Sequence, residues 1–274
     1  MKKFISIIIL IIIALPAFAQ DKKQSLYIAY ENSDYGYKEP ALQYPPHWTG
    51  RMQGISAEYI RRSVMTDGDE VSQSDNSFFA VELRYMQGKV DYDGYLWDGT
   101  PARSENITDY YMEGALKAGY VYNFGESGFA LWPYAGLGGR FLTDKLDEGG
   151  SGGYRRESTY IYIPVGFNLN KQMGGGFSLT LNAQGDILLS GRQISKIDGI
   201  DNVHNTQDEG YGLRASLRIQ QDFGGFGIFA EPFYRYWHIQ TSEPQYYTDG
   251  YYVYTLTEPK NETREAGIKI GIMF

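Results

Sequence analysis

Polar and apolar side chains alternate along this chain in segments of about ten residues, the length that lets a tilted strand cross a bilayer. The C-terminus is the clearest case. Ala266, Ile268, Ile270, Ile272 and Phe274 share one face, and Glu265, Gly267, Lys269, Gly271 and Met273 the other. In 211–220, Leu213, Ala215, Leu217 and Ile219 oppose Arg214, Ser216, Arg218 and Gln220. In 177–189, Phe177, Leu179, Leu181, Ala183 and Ile187 oppose Thr180, Asn182, Gln184 and Asp186. Ile161, Ile163, Val165, Phe167 and Leu169 form a further apolar face. One oily side per strand, repeated many times, suits a sheet rolled into a tube with hydrocarbon outside it.

The connections alternate as well. Compact, mostly glycine-rich turns lie at 125–128, 171–176 and 224–227, and long polar links lie near 93–109, 143–156, 192–208 and 241–260. Short periplasmic turns and long outer loops are the asymmetry of an outer-membrane barrel. Counting back from Phe274 predicts strands near 262–274, 227–240, 209–222, 177–191, 157–170, 128–142, 110–124, 78–92 and 50–63. Both ends in the periplasm require an even number, so a tenth strand is expected at 25–37, despite its poor alternation. The reading is all-β: a closed antiparallel transmembrane β-barrel of about ten strands, with eight and twelve also compatible. The segment 64–77 becomes a long periplasmic turn.

The N-terminus reads as an export signal over 1–19, leaving 20–274 as one outer-membrane domain. Lys2 and Lys3 precede an apolar run, Pro16 ends it, and Ala17-Phe18-Ala19 is a small-x-small cleavage site. Mean hydropathy is −0.41 and no long apolar run follows, which excludes a helical membrane protein. With 25 Tyr, 14 Phe and 4 Trp, the chain has the aromatics that interfacial girdles require. The formal charge of −8 becomes −10 once Lys2 and Lys3 are lost, so nucleic acid is excluded as a partner.

The presumed inner face carries both signs: Glu58, Glu82, Arg84, Glu113, Lys117, Arg140, Asp186, Arg214, Arg218, Glu231, Arg235, Glu265 and Lys269. In a narrow barrel such side chains reach across and pair, so they read as a plug rather than an ion path. Most catalytic signatures are absent, and nothing points to a metal or a cofactor. There is no Cys, no G-x-S-x-G elbow and no phosphate loop. The tripeptides Asn106-Ile107-Thr108 and Asn261-Glu262-Thr263 match a glycosylation pattern by chance. Of the three His, His47 reads as a loop residue and His238 as part of an aromatic belt. His204 follows Asp201 in an outer loop, and Asp91-Tyr92-Asp93 stands where another strand leaves the membrane.

These features together resemble the omptin family of outer-membrane proteases, in which two Asp lie opposite an Asp-x-His pair. The resemblance implies Asp91 and Asp93 as the carboxylate pair, with Asp201 and His204 opposite and His204 as general base. The spacing here is Asp-x-x-His, which departs from that pattern.

Three functions follow. The first is a non-enzymatic surface barrel with a charge-plugged lumen, whose loops contact a surface or ligand through Tyr95, Trp97, Tyr246, Tyr247, Tyr251 and Tyr252. The second is an omptin-like aspartyl endopeptidase. The third is a narrow channel. Membrane lipid and lipopolysaccharide are expected partners in the outer membrane of a Gram-negative bacterium. The C-terminal strand ending at Phe274 resembles the signal read by the barrel-assembly machinery.

Overall fold

The computed structural model describes residues 24–63, 76–95, 99–149, 153–197, 199, 202–248 and 251–274. The expected export signal, most of the 64–77 turn, Trp97 and Asp201 lie outside the described residues. Ten long strands form the wall: β1 (Gln24–Lys38), β2 (His47–Ser63), β3 (Ser77–Tyr95), β4 (Pro101–Tyr120), β5 (Phe129–Lys145), β6 (Arg155–Gly174), β7 (Phe177–Lys196), β8 (Gly210–Asp222), β9 (Gly227–Ile239) and β10 (Asn261–Met273). Each pairs antiparallel with its neighbours in chain order, and β10 pairs with both β9 and β1. Ile272 thus sits between Ile28 and Ile228, and the sheet closes. Closure removes the free edges that lipid would not tolerate. The turn from β6 to β7 is tight because Gly174, Gly175 and Gly176 all take positive φ, which side chains disfavour.

The side-chain period follows the wall. Outward residues in the membrane band are large and apolar, and many are exposed: Ile270 at 60%, Leu137 at 53% and Leu116 at 50%. Leu116 and Leu137 face each other across β4 and β5. Such exposure suits contact with acyl chains. The band ends toward the outer side at Tyr30, Tyr85, Tyr110, Tyr211 and Tyr236, two pairs of which touch across strands (Tyr85–Tyr110 6.4 Å, Tyr211–Tyr236 6.1 Å between ring centroids). Beyond it the outward residues become charged, as in the Arg51–Asp34 pair at 3.2 Å and the Lys196–Glu157 pair. That change marks where the bilayer stops.

The wall does not stop there. Segments expected as long loops at 93–109 and 192–208 are largely strand: β3 and β4 continue to Tyr95 and back from Pro101, and β7 runs to Lys196 and pairs with a short strand, Val203–Thr206. The link expected at 143–156 shrinks to a 3-10 turn, Leu146–Gly149, and its flanks. Within 241–260 a small hairpin forms from Gln245–Thr248 and Val253–Leu256. His47 opens β2 instead of lying in a loop.

Two bulges break the simple alternation. On β7, Ile161 pairs with Ser190 and Tyr162 with Leu188, so Leu189 is extra and the facing reverses beyond it. Gln184, Asp186 and Leu188 point inward before the bulge, and Gln193 and Ser195 after it. On β4 a second bulge lies beside Asp91, with Asn106 at φ 59°. Asparagine tolerates that left-handed conformation better than most residues.

The lumen is filled in layers. Tyr35, Tyr37, Trp48, Met52, Met86, Val90, Tyr92, Ile107, Tyr111 and Leu146 pack in the outer half against β1–β4. Tyr160, Tyr162, Leu188, Trp237 and Ile239 face them from the other wall. Ile60, Phe78, Ala80, Val121 and Tyr134 pack toward the periplasmic end.

Candidate functional site

Between these aromatic layers lie three groups of ion pairs, built on Glu113, Arg218 and Lys117. Together they take in the thirteen inner-face charges named from the alternation. They also contain Glu31, wholly buried on β1, which the sequence reading passed over. The thirteen comprise six acids and seven bases; adding Glu31 makes seven of each, so the set is formally neutral. Glu113 is its hub. Arg84 lies 3.3 Å away, Arg140 4.0 Å, Arg214 binds it directly, and the Tyr162 hydroxyl donates to it at 3.0 Å. Arg235 bridges Glu31 at 2.6 Å and Glu265 at 3.5 Å. Nearer the periplasm, Arg218 holds Glu231 and Glu58, Lys269 holds Glu231, and Lys117 holds Glu82. The open space among these groups amounts to about 70 Å³, room for a few waters and no solute.

Outside the membrane band the balance changes. Arg156 of β6 points inward and is held by three carboxylates from three separate elements. Its Nη1 donates to Glu39, just past β1, at 2.6 Å, and to Glu258 of the last outer link at 3.3 Å. Its Nη2 donates to Asp144 of β5 at 2.7 Å. Trp48 and Tyr37 stack beneath the guanidinium, at 4.5 and 5.0 Å from the ring centroids. Asp109 lies directly opposite Asp144 on the neighbouring strand. Four carboxyl groups thus share one guanidinium, and all five residues are buried.

Such a cluster cannot stay fully ionised. Burial pushes the Asp109 carboxyl well above the usual carboxylate range, and the charge of Asp144 beside it adds to the shift. Burial also pushes Glu258 up to about 7; Arg156 opposes that shift, and Glu39 and Asp144 reinforce it. Burial works against the charge of Arg156, but Tyr37, Asp144, Glu39 and Tyr154 around it outweigh that and hold it ionised. Asp109 Oδ1, Asp144 Oδ1 and the Asn261 side-chain nitrogen are buried without hydrogen-bond partners, and all three residues line a cavity of about 20 Å³, the size of one water. Among the described residues no group of three or more His, Asp or Glu could hold a metal ion.

The residues implied by the omptin resemblance lie elsewhere. Asp91 and Asp93 are on the outer surface of β3, while Tyr92 between them points inward. Asp91 Oδ1 accepts a hydrogen bond from the Asn106 amide at 2.9 Å, so it secures the β4 bulge. Asp93 sits in register between His47 and Arg103. His204 is also exposed, with its Nδ1 at 2.8 Å from an Arg192 nitrogen on β7. The Asp pair and His204 thus occupy the outside of different sectors of the wall, and the structure does not bring them to one water. Asp91-Tyr92-Asp93 looked like a site because the alternation placing both Asp outside was legible only below the tyrosine ring.

The expected contact residues are at the outer end. Tyr246, Tyr251 and Tyr252 are strongly exposed on or beside the small hairpin, and Tyr247 stacks near Tyr254 at 6.2 Å. Tyr95 at the tip of β3 meets Tyr44 at 4.7 Å.

No protein-family model matches the chain, and no curated protein matches it. Solved structures do. The outer membrane protease OmpT from Escherichia coli aligns with a TM-score of 0.62 at 9% identity, over 93% of this chain and 97% of that one. Neisserial surface protein A aligns at a TM-score of 0.34 with 9% identity, over 90% and 95% of the two chains. The Ail attachment invasion locus protein of Yersinia pestis aligns at 0.29 with 12% identity, over 92% and 99%. What the likeness to OmpT shows is the fold: a closed, ten-stranded antiparallel β-barrel of the outer-membrane kind.

Proposed function

We propose that this chain is a non-enzymatic surface barrel of the Gram-negative outer membrane, exported by its N-terminal signal, with a sealed lumen and outer hairpins that make the functional contacts. The observation that carries this reading is the neutral ion-pair set across the lumen. A conduction path needs loosely held charge and open space; here each base is paired with an acid, and the space left is on the scale of a few waters. Purified protein in planar bilayers should therefore give no conductance steps. Regular steps that persist after the ion pairs are verified intact would replace this reading with the channel.

The exposed tyrosines at 246, 251 and 252, with Tyr95, offer broad amphipathic area at low entropy cost, which supports a contact role. Bacteria displaying the barrel should adhere to immobilised host-cell glycoprotein, and lose that adhesion when 245–256 is replaced by a short glycine–serine turn. Adhesion unchanged by the replacement would count against the hairpin. Lipopolysaccharide is proposed as the lipid neighbour of the charged rim, and the β10 terminus at Phe274 as the assembly signal.

The outward placement of Asp93 and His204 weighs against the endopeptidase. Refolded with lipopolysaccharide, the protein should leave a panel of basic peptides uncut. Cleavage abolished by Asp93→Ala and by His204→Ala would restore the protease reading.

A further inference from the structure

The last outer link, 240–260, does more than connect β9 to β10. Its distal part leads to the exposed hairpin, but its root turns inward. The Ser242 amide donates to the Glu258 carbonyl at 2.9 Å, and the Glu258 amide donates to the Ser242 hydroxyl at 2.8 Å. Asn205, on the short strand beside β7, donates to that hydroxyl at 3.1 Å and to the Leu256 carbonyl at 3.3 Å. The Glu258 side chain then reaches Arg156 through the mouth of the barrel. The hairpin is therefore held by two anchors, one through Ser242 and Asn205 and one through the Glu258 carboxyl and Arg156.

We propose that the contact between Glu258 and Arg156 is a pH-sensitive latch, closed in mildly acidic medium and loosened in alkaline medium, that sets how firmly the hairpin strands Gln245–Thr248 and Val253–Leu256 are held against the short strand Val203–Thr206.

The geometry explains the direction. Glu258 faces Arg156 of β6, Glu39 beyond β1, Asp144 of β5, Gln193 of β7 and the hydroxyls of Tyr37, Tyr154 and Tyr160. No histidine is among these groups. With Glu258 protonated, Arg156 still has Glu39 and Asp144, and the neutral carboxyl keeps its hydrogen bonds. Once Glu258 ionises, a third negative charge enters a buried space with a single cation already committed to two. The folded carboxyl binds its proton more tightly than a free one. The closed state is thus favoured at low pH, and the advantage is lost as pH rises through the neutral range. The proposal does not depend on what the hairpin touches, and opening the latch leaves the ion-pair seal below intact.

The chain has no cysteine, so paired spin labels can be placed cleanly. Labels at Tyr246→Cys and Gln87→Cys, both exposed, report the hairpin's distance from the wall. In lipid nanodiscs the distance distribution should be narrow at about pH 5.5 and roughly twice as broad at about pH 8.5. Glu258→Gln, which keeps the hydrogen bonds and cannot ionise, should stay narrow at both values. Arg156→Met should be broad at both; should that variant not assemble, Glu258→Gln alone decides. A wild-type distribution indifferent to pH would overturn the proposal, as would a Glu258→Gln protein that responds like wild type.

Discussion

Replacing Glu113 with alanine lowers the unfolding free energy of the barrel by about 3–5 kcal/mol, the largest loss expected at a single lumen position. Glu113 is approached by Arg84, Arg140 and Arg214, and it accepts the Tyr162 hydroxyl. Alanine removes the acid and leaves three buried guanidinium groups with too little negative charge. Arg84 retains Glu31, and Arg214 retains Asp186. Arg140 retains only Glu265, at 3.7 Å and without a hydrogen bond, so it suffers most. Urea titration of the refolded protein in lipid vesicles measures the loss. The double variant Glu113→Ala with Arg140→Met should recover part of it, because one stranded cation is gone. A single variant as stable as wild type would mean that water already screens the hub, and the sealed-lumen argument would fall with it.

The second large effect is on the opposite side of the wall. Leu137→Arg should destabilise the barrel by about 2–4 kcal/mol, since it puts a guanidinium against acyl chains near mid-band. Leu137 is 53% exposed and faces Leu116, so no inward partner can reach the new charge. The paired control is Arg51→Leu, above the tyrosine ring, which removes a water-exposed charge at 3.2 Å from Asp34 and should change stability by less than about 1 kcal/mol. Equal effects at the two positions would contradict the placement of the membrane band.

The contrast between those positions also explains what the sequence disclosed and what it hid. Oily residues outside with polar residues inside occur only where one side of the sheet meets hydrocarbon. Inside the band that pattern singled out thirteen charges, and each has an ion-pair partner in the lumen. Above the band the outer face meets water while Trp48, Val90, Tyr92 and Leu146 pack inward beside buried charges, so the pattern no longer marks a lipid face although the strands continue. Asp109, Asp144, Arg156, Glu39 and Glu258 were hidden there, in stretches that read as loop or fell outside any strand. Glu31 was missed for a different reason: tyrosines fall on both faces of β1, with Tyr27, Tyr35 and Tyr37 inward and Tyr30 outward. On β7 the alternation fails at Leu188-Leu189-Ser190 because the bulge inserts a residue, and a strand of 20 residues was read as ending near 191. Asp91 was legible as an acid at a strand's exit, but its task, securing the Asn106 amide, depends on a backbone irregularity that no spacing rule announces.

The continuation of β3 and β4 past the tyrosine ring has a mechanical consequence. From Tyr85 to Tyr95 the hairpin rises roughly 25 Å after allowing for tilt, enough to lift Tyr95 well clear of the membrane band. The tip rides on a stiff ribbon rather than a tether, so its height is set by residue count. Trimming two residues from each strand should lower the tip by about 5 Å with every side chain facing as before, whereas trimming one from each should turn the ribbon inside out.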